Sequence, residues 1–581
     1  MCKKTSFIPL IPLLVLVITW QGCTHMPAKF QQTQTDQEQG WYEQPGQNYK
    51  QIVTDRPVTD DVFRTQTYEK REQYKKAEQI YKQIVRAHPG TEDAFQAQKN
   101  LATLYVEWDK QPQAQAALQE LIGNFSKHKD LPTAVTYVAD AYRKLERHEK
   151  ACEIYQYMVD KWPEDEHAMW SQMGLVISNT CLGNNDLAEI TFKKLCSDYS
   201  GYELLAKAIC LVADNYRRLE RNEKARELYQ RALDNKPDVD AALWSLMGLA
   251  ISHIGLGDYD SAGAVVDKLL DDFAEYDRIS IATCMIADEY RKSNKYEEAS
   301  ALYQYIINKW PDAEHALWSH MGLGISNLRL GEEFAAQQVF EKLRTDFAVD
   351  ERMATAGCLI GDEYRSLEMY GKACELYQYV IDKWPDTEKA MWSQTNMGNI
   401  KLDLGDENAA RAIFDKVLED FDGHPVLPKA VDQMAYGYYR KALSNSKEGL
   451  DELAKWYYQK TITECERIVN QLPETDHTTA EACYFCGICY DRLGQHKKAM
   501  QYYRKVVHNW PDSKDAWVAQ LRIAKMYKRM LGAGLISDSE ADAAISVAYE
   551  HLVEKFPDCP SAERVRNWLD YNAKSKEGEQ K

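Results

Sequence analysis

The stretch LVADNYRRLERNEKARELYQRALDNKP, Leu211 to Pro237, decides the fold. Val212-Ala213-x-x-Tyr216 is followed by Ala225, Tyr229, Ala232 and Pro237. Small residues at these spacings let two antiparallel helices approach closely, aromatic rings fill the space between them, and the proline stops the second helix. The closing proline recurs: Pro89, Pro163, Pro237, Pro311 and Pro385 stand 74 residues apart. A single globular domain has no reason to keep such a register. Stacked units do, because each must present the same face to its neighbours.

Other series keep the same step. Trp170, Trp244, Trp318 and Trp392 form one, Tyr142, Tyr216, Tyr290 and Tyr364 another, and Cys210, Cys284 and Cys358 a third. Each 74-residue unit divides in two. The alternate half lacks the proline but keeps the rest, as in Leu249-Ala250, Gly257 and Ala262, or Gly183, Ala188 and Phe192. The alanine of the second helix falls at Ala77, Ala114, Ala151, Ala188, Ala225, Ala262, Ala299, Ala336, Ala373 and Ala410, always 37 apart. This pattern resembles the tetratricopeptide repeat (TPR), with about thirteen repeats over roughly residues 58–557. The resemblance implies an all-α solenoid, a right-handed superhelix of antiparallel helix pairs. The regular array is expected over 58–427. Less regular repeats follow over 428–557, with insertions near Ser444–Asp451 and Gly532–Asp538. Residues 558–581 are expected to hold a capping helix around Ala562–Leu569 and a tail.

The first 57 residues differ. Lys3 and Lys4 precede an apolar run from Phe7 to Trp20, too short for a comfortable membrane span, and Gly22-Cys23 follows. Residues 1–22 resemble a bacterial lipoprotein signal, which implies lipidation at Cys23. Trp20 stands where leucine is usual. An ordinary signal peptide cut near Gly22, or an uncleaved anchor, are the other readings. Residues 23–57, rich in Gln, Thr, Asp and Glu, cannot bury a core and read as a flexible tether. The expected location is the periplasmic side of a bacterial membrane. Thr24, rather than aspartate, after the cysteine suggests the outer membrane by analogy with lipoproteins.

The chain carries 71 basic and 89 acidic residues, a net charge of −18. Loss of Lys3 and Lys4 with the signal would bring it to −20. That argues against general affinity for nucleic acid, which needs a basic footprint. Fourteen cysteines are many for an exported chain. Their positions follow the repeats, so most read as small buried fillers. Cys181 and Cys196 lie on paired helices and could bond. Cys483-x-x-Cys486-x-x-Cys489 resembles the start of an iron–sulfur ligand run. It lies within a helical pattern marked by Gly487 and Tyr490, lacks a fourth cysteine followed by proline, and places its thiols on one helix face. Packing is the stronger reading, and no metal or cofactor is expected. No nucleophile elbow, phosphate loop or His-Glu-x-x-His is present, so no catalytic residue is assigned.

The repeated polar pairs are more informative. Asp140, Asp214, Asp288 and Asp362 recur with Arg143, Arg217, Arg291 and Arg365 around the tyrosine of the first helix. The TPR resemblance places these positions, and Trp170, Trp244, Trp318 and Trp392, on the concave face, which implies a groove for protein partners. The bland alternatives are helix-surface i,i+3 pairs of little energetic weight and tryptophans that pack between repeats. As exposed pairs, the Asp/Arg sets are expected to add little stability. Cys210, Cys284 and Cys358 stand where the carboxylate-clamp TPRs of chaperone partners use other residues, so that ligand is not supported. The expectation is a non-catalytic envelope scaffold that binds proteins in cell-envelope assembly. The alternative is a carbohydrate-binding or polysaccharide-export component that stacks Trp and Tyr on sugars.

Overall fold

Helix starts and stops follow the punctuation in the sequence. Pro89, Pro163 and Pro385 each follow the end of a helix, Gln66–Ala87, His148–Lys161 and Tyr370–Lys383. Two residues later Thr91, Asp165 and Thr387 cap the next helix by accepting from the backbone N–H of Ala94, His167 and Ala390. Such caps satisfy N–H groups that the first helical turn leaves without a partner.

Within a pair the chain reverses through one residue in the left-handed region. In one set of halves it is glycine: Gly183, Gly257, Gly331 and Gly405, with φ between +75° and +81°. In the other set it is Glu146, Glu220, Asn294 and Glu368, with φ between +58° and +61°. Around Glu220 the backbone N–H groups of Glu220 and Arg221 close onto the carbonyls of Arg217 and Tyr216, each at 2.9 Å. These bonds hold a conformation that side chains rarely adopt.

The computed structural model describes residues 66–579 apart from 277, 314, 472–475, 512 and 558. Residues 1–22, expected as a signal segment, residues 23–57 with Cys23, expected as a tether, and the expected first residues of the array lie outside the described residues. Among the described residues there are 26 helices and no strand. No helix among them is long and apolar enough to cross a membrane.

The helices fall into two compact units, one ending at Val349 and one starting at Asp350. In each unit the two helices of a pair pack side by side, and the first helices of most successive pairs also touch. In unit one Leu131–Lys144, Glu166–Cys181, Leu205–Arg218, Val239–Gly255, Ile279–Lys292 and Ala316–Arg329 follow one another in this way. The first helices thus form one continuous layer, and the second helices pack against it. The 37-residue alanines mark the closest approach within pairs: from Ala151 to Ala410 every one is fully buried. A larger side chain there would push the two backbones apart.

In unit two the insertion near Ser444–Asp451 lengthens two helices instead of making a long loop. Leu427–Lys447 and Asp451–Gln471 have 21 residues each, against 14 in most helices of the regular array. The terminal helix is longer than its expected core, running Ala562–Glu579. Val565 is buried, and Trp568 meets Tyr549 edge to face at 4.9 Å. The helix therefore covers the last apolar surface of the unit, as an end cap must.

Candidate partner-binding face and its tyrosine triads

The Asp/Arg pairs of the first helices are one part of a three-residue unit. In the first register, Arg143 Nε donates to the Tyr155 hydroxyl at 3.0 Å, and that hydroxyl donates to Asp140 Oδ1 at 2.5 Å. Arg143 Nη2 closes the triangle on Asp140 at 3.2 Å. The same unit recurs as Arg217–Tyr229–Asp214, at 3.2, 2.5 and 3.4 Å. It recurs again as Arg291–Tyr303–Asp288, at 3.2, 2.6 and 2.8 Å. Tyr155, Tyr229 and Tyr303 come from the second helix and are fully buried. Burial pushes their phenols well above the usual range, so they stay protonated and donate.

Each ring reaches the first-helix layer by passing over a glycine. A Cβ added at Gly174, Gly248 or Gly322 would lie 2.4, 2.2 or 2.3 Å from the Cζ of Tyr155, Tyr229 or Tyr303. These glycines sit on the next first helix, so each tyrosine ties three helices together. Glycine is required here for the approach of a ring, not for backbone freedom.

The fourth register departs from this. Asn396 stands where the others have glycine. Its Nδ2 donates to Asp362 at 2.8 Å, and Arg365 Nη1 turns to its Oδ1 at 3.0 Å. Tyr377 still donates to Asp362 at 2.5 Å. Burial raises the Asp362 carboxyl, against the opposing pull of the Tyr377 bond and the Arg365 charge.

These geometries correct one expectation. In the first three registers the pairs are not free surface contacts of little energetic weight. The arginine side chains are only 15–18 % exposed and the aspartates 20–37 %. Together they satisfy a buried hydroxyl that would otherwise lose its partners on leaving water. The sequence reading found the Asp and Arg because they are neighbours on one helix. It missed the tyrosine, 12 residues past the arginine and across a turn. The signal was there: Tyr155, Tyr229, Tyr303 and Tyr377 keep the 74-residue step.

Trp170, Trp244, Trp318 and Trp392 are half-buried, each packed against a hydrophobic core while keeping part of its ring in contact with solvent. Trp392 Nε1 donates to Glu388 at 3.1 Å. The helices that carry the first three are buried on nearly every side, from Ser171 to Thr180, Ser245 to Ser252 and Ser319 to Leu328. The first-helix layer thus alternates two kinds of helix, one polar with a triad and one apolar with a half-buried tryptophan. A second aromatic series escaped the sequence reading. Trp162, Trp310 and Trp384 precede prolines and meet Tyr157, Tyr305 and Tyr379 edge to face at 5.8, 5.6 and 5.7 Å. The Trp-Pro dipeptide is its signal. These pairs lie at the ends of second helices, away from the triads.

The cysteines behave as fillers. Cys210, Cys284 and Cys358 are buried, and Ser319 Oγ lies 3.8 Å from Cys284 Sγ. Burial pushes the Cys358 thiol up to about 12, which removes the thiolate that reactivity needs. Cys181 and Cys196 are free thiols, and Cys181 points to Asn215 Oδ1 at 3.5 Å instead. Cys483, Cys486 and Cys489 are fully buried within the helix Asp476–Arg492, in the core of unit two.

Glu92, His128 and Asp130 form the one grouping among the described residues whose donor atoms converge as metal ligands would. His128 Nδ1 accepts the Asp130 backbone N–H at 3.2 Å, which leaves the proton on Nε2, 3.0 Å from Glu92. The ring also stacks on Phe95 at 3.7 Å. Both ring nitrogens are therefore engaged in holding a turn.

Models of the tetratricopeptide repeat match residues 212–277, 393–419 and 487–513. These stretches are tetratricopeptide repeats. Its sequence matches no curated protein. Among solved structures it is similar to a tetratricopeptide repeat protein from Parabacteroides merdae, at 17% identity over 45% of this chain and 96% of that one, with a TM-score of 0.30. It is also similar to yeast Tom70, at 12% identity over 83% and 96%, with a TM-score of 0.30. A third is Cut9–Hcn1, a hetero-tetramer of the APC/C, at 11% identity over 84% and 98%, with a TM-score of 0.23. The repeat fold is that of a protein–protein interaction scaffold, and proteins built from it are typically non-catalytic.

Proposed function

We propose that this protein is a non-catalytic scaffold of a bacterial cell envelope that takes protein partners along its first-helix layer. One observation carries the reading. The same polar triad, Asp140–Arg143–Tyr155 and its two copies, alternates with Trp170, Trp244 and Trp318 along one layer of unit one. A partner that crosses several helices meets the same donors, acceptors and indole edges at regular intervals. Aromatic rings and guanidinium groups are the side chains that most often anchor interfaces.

The test is capture from envelope extract. A chain with Trp170→Ala, Trp244→Ala and Trp318→Ala, confirmed helical by circular dichroism, should lose protein capture by about tenfold or more. Glu227→Ala and Gln230→Ala, on the exposed face of a second helix, should leave it intact. Undiminished capture by the tryptophan variant would sink the reading. Retention of glycans in place of proteins would favour the alternative, in which tryptophan faces stack on sugars while triad groups bind hydroxyls.

The membrane attachment rests on the N-terminal sequence. Lipid on Cys23 would tether the array to the periplasmic side of the membrane, at the outer membrane by the Thr24 criterion. Cys23→Ser should then move the protein from the membrane to the soluble fraction while its helix content is unchanged. Retention of the variant in salt-washed membranes would point to an uncleaved anchor at Phe7–Trp20 instead.

A further inference from the structure

Glu298 breaks the repeat register in unit one. Its sister positions hold Lys150, Lys224 and Lys372. Each lysine reaches an acidic partner: Lys150 pairs with Glu153, Lys224 with Glu227 at 3.0 Å and Glu189 at 3.4 Å, and Lys372 with Glu375 at 3.9 Å. In the register of Glu298 both kinds of partner are gone. Ala301 stands where Glu227 would be, and Gly263 where Glu189 would be. The lysine has become a carboxyl and the space around it has lost two side chains.

As a result Glu298 is buried, with 3 % of its surface exposed, in the first turn of the helix Tyr296–Lys309. Its Oε2 has no hydrogen-bond partner among the described residues, and neither has the hydroxyl of the fully buried Tyr290 on Ile279–Lys292, whose phenol is pushed up by burial and by the Glu298 charge. Burial and the Glu298 charge also push up the phenol of Tyr259, from the helix Tyr259–Asp272, and its ring holds Lys295 Nζ at 3.8 Å. Lys295 and Glu297 are the other charged groups that act on Glu298, and Asp267 acts on Tyr290. A carboxylate placed here would be a buried charge with one distant cation engaged elsewhere, which is costly.

We propose that Glu298 is a pH-responsive joint of unit one: buried as the neutral acid, it ionises when the packing of Tyr296–Lys309 on its neighbours opens, so rising pH favours the opening. Burial pushes its carboxyl up from the usual 4.5 to about 9, and the Lys295 charge only partly offsets this. The sign follows by linkage. The closed form holds a proton that the solvated, open form releases anywhere between those values. The opening equilibrium therefore rises about tenfold per pH unit in that window, neutral pH included. The sister helices carry a paired lysine at this position instead.

Hydrogen–deuterium exchange of the full chain at pH 6 and pH 8, corrected for intrinsic exchange rates, tests this. In the natural chain, protection across Tyr296–Lys309 should fall by about a hundredfold between the two pH values. Asn222–Asp234, a sister helix, should change by less than about threefold. Glu298→Gln should abolish the pH dependence. Glu298→Leu serves the same purpose should the glutamine variant misfold. A natural chain with no excess loss at Tyr296–Lys309, or a variant that keeps that loss, would overturn the proposal.

Discussion

Replacing Gly248 by alanine is expected to destabilise unit one by about 3–5 kcal/mol, through a steric clash and the loss of partners for a buried hydroxyl. The added Cβ would lie 2.2 Å from Tyr229 Cζ, 2.3 Å from Cε1 and 2.7 Å from Cε2. The ring has no easy retreat. It is fully buried, and its hydroxyl is held by Asp214 and Arg217 at 2.5 and 3.2 Å. Either the helix Val239–Gly255 shifts, at the cost of its packing, or the hydroxyl leaves its partners. Gly123→Ala is the control. That glycine has nothing within 4 Å of its added Cβ, so the change should be neutral or stabilise by about 0.5–1 kcal/mol. Denaturant midpoints followed by circular dichroism would compare the two. A Gly248→Ala protein within 1 kcal/mol of the natural chain would show that the ring is not confined as described. Combining Gly248→Ala with Tyr229→Leu should cost less than the sum of the two changes, since both act through one contact.

The second expected result is an unequal response among the arginines. Arg217→Ala and Arg291→Ala should each cost about 1–2 kcal/mol. Each removes a guanidinium that bonds a buried hydroxyl and its aspartate. The upper figures for a broken buried pair are discounted because the aspartates keep solvent contact. Arg365→Ala should cost less than about 1 kcal/mol, because Arg365 bonds Asn396 while Tyr377 and Asn396 remain on Asp362. Thermal or chemical unfolding of the three single variants gives the order. Equal losses at all three sites would contradict the triad description. Partner capture by the same variants must be read against these losses, since a weakened triad lowers stability as well as changing the binding face.

What the sequence determined by itself is the architecture. Ala151 to Ala410 at 37-residue steps and the 74-residue prolines encode steric requirements, and sterics are local: a small residue where helices touch, a stop where a helix must end. The Asp/Arg pairs were legible for the same reason, being three residues apart on one helix. The role of those pairs was decided only by the tertiary structure. The Tyr229 hydroxyl meets Asp214 across a turn, and its ring lies over Gly248 on the following pair. No single-helix pattern contains that triangle. The half-burial of Trp170, Trp244 and Trp318 was likewise open from sequence, because an indole is large enough to pack and to present an edge at once. Glu298 lies between the two cases. Its departure from the lysine register can be read from the chain, but its lack of a partner depends on what Gly263 and Ala301 leave empty around it. Composition places a charge in a repeat; only packing decides whether water or another charge reaches it.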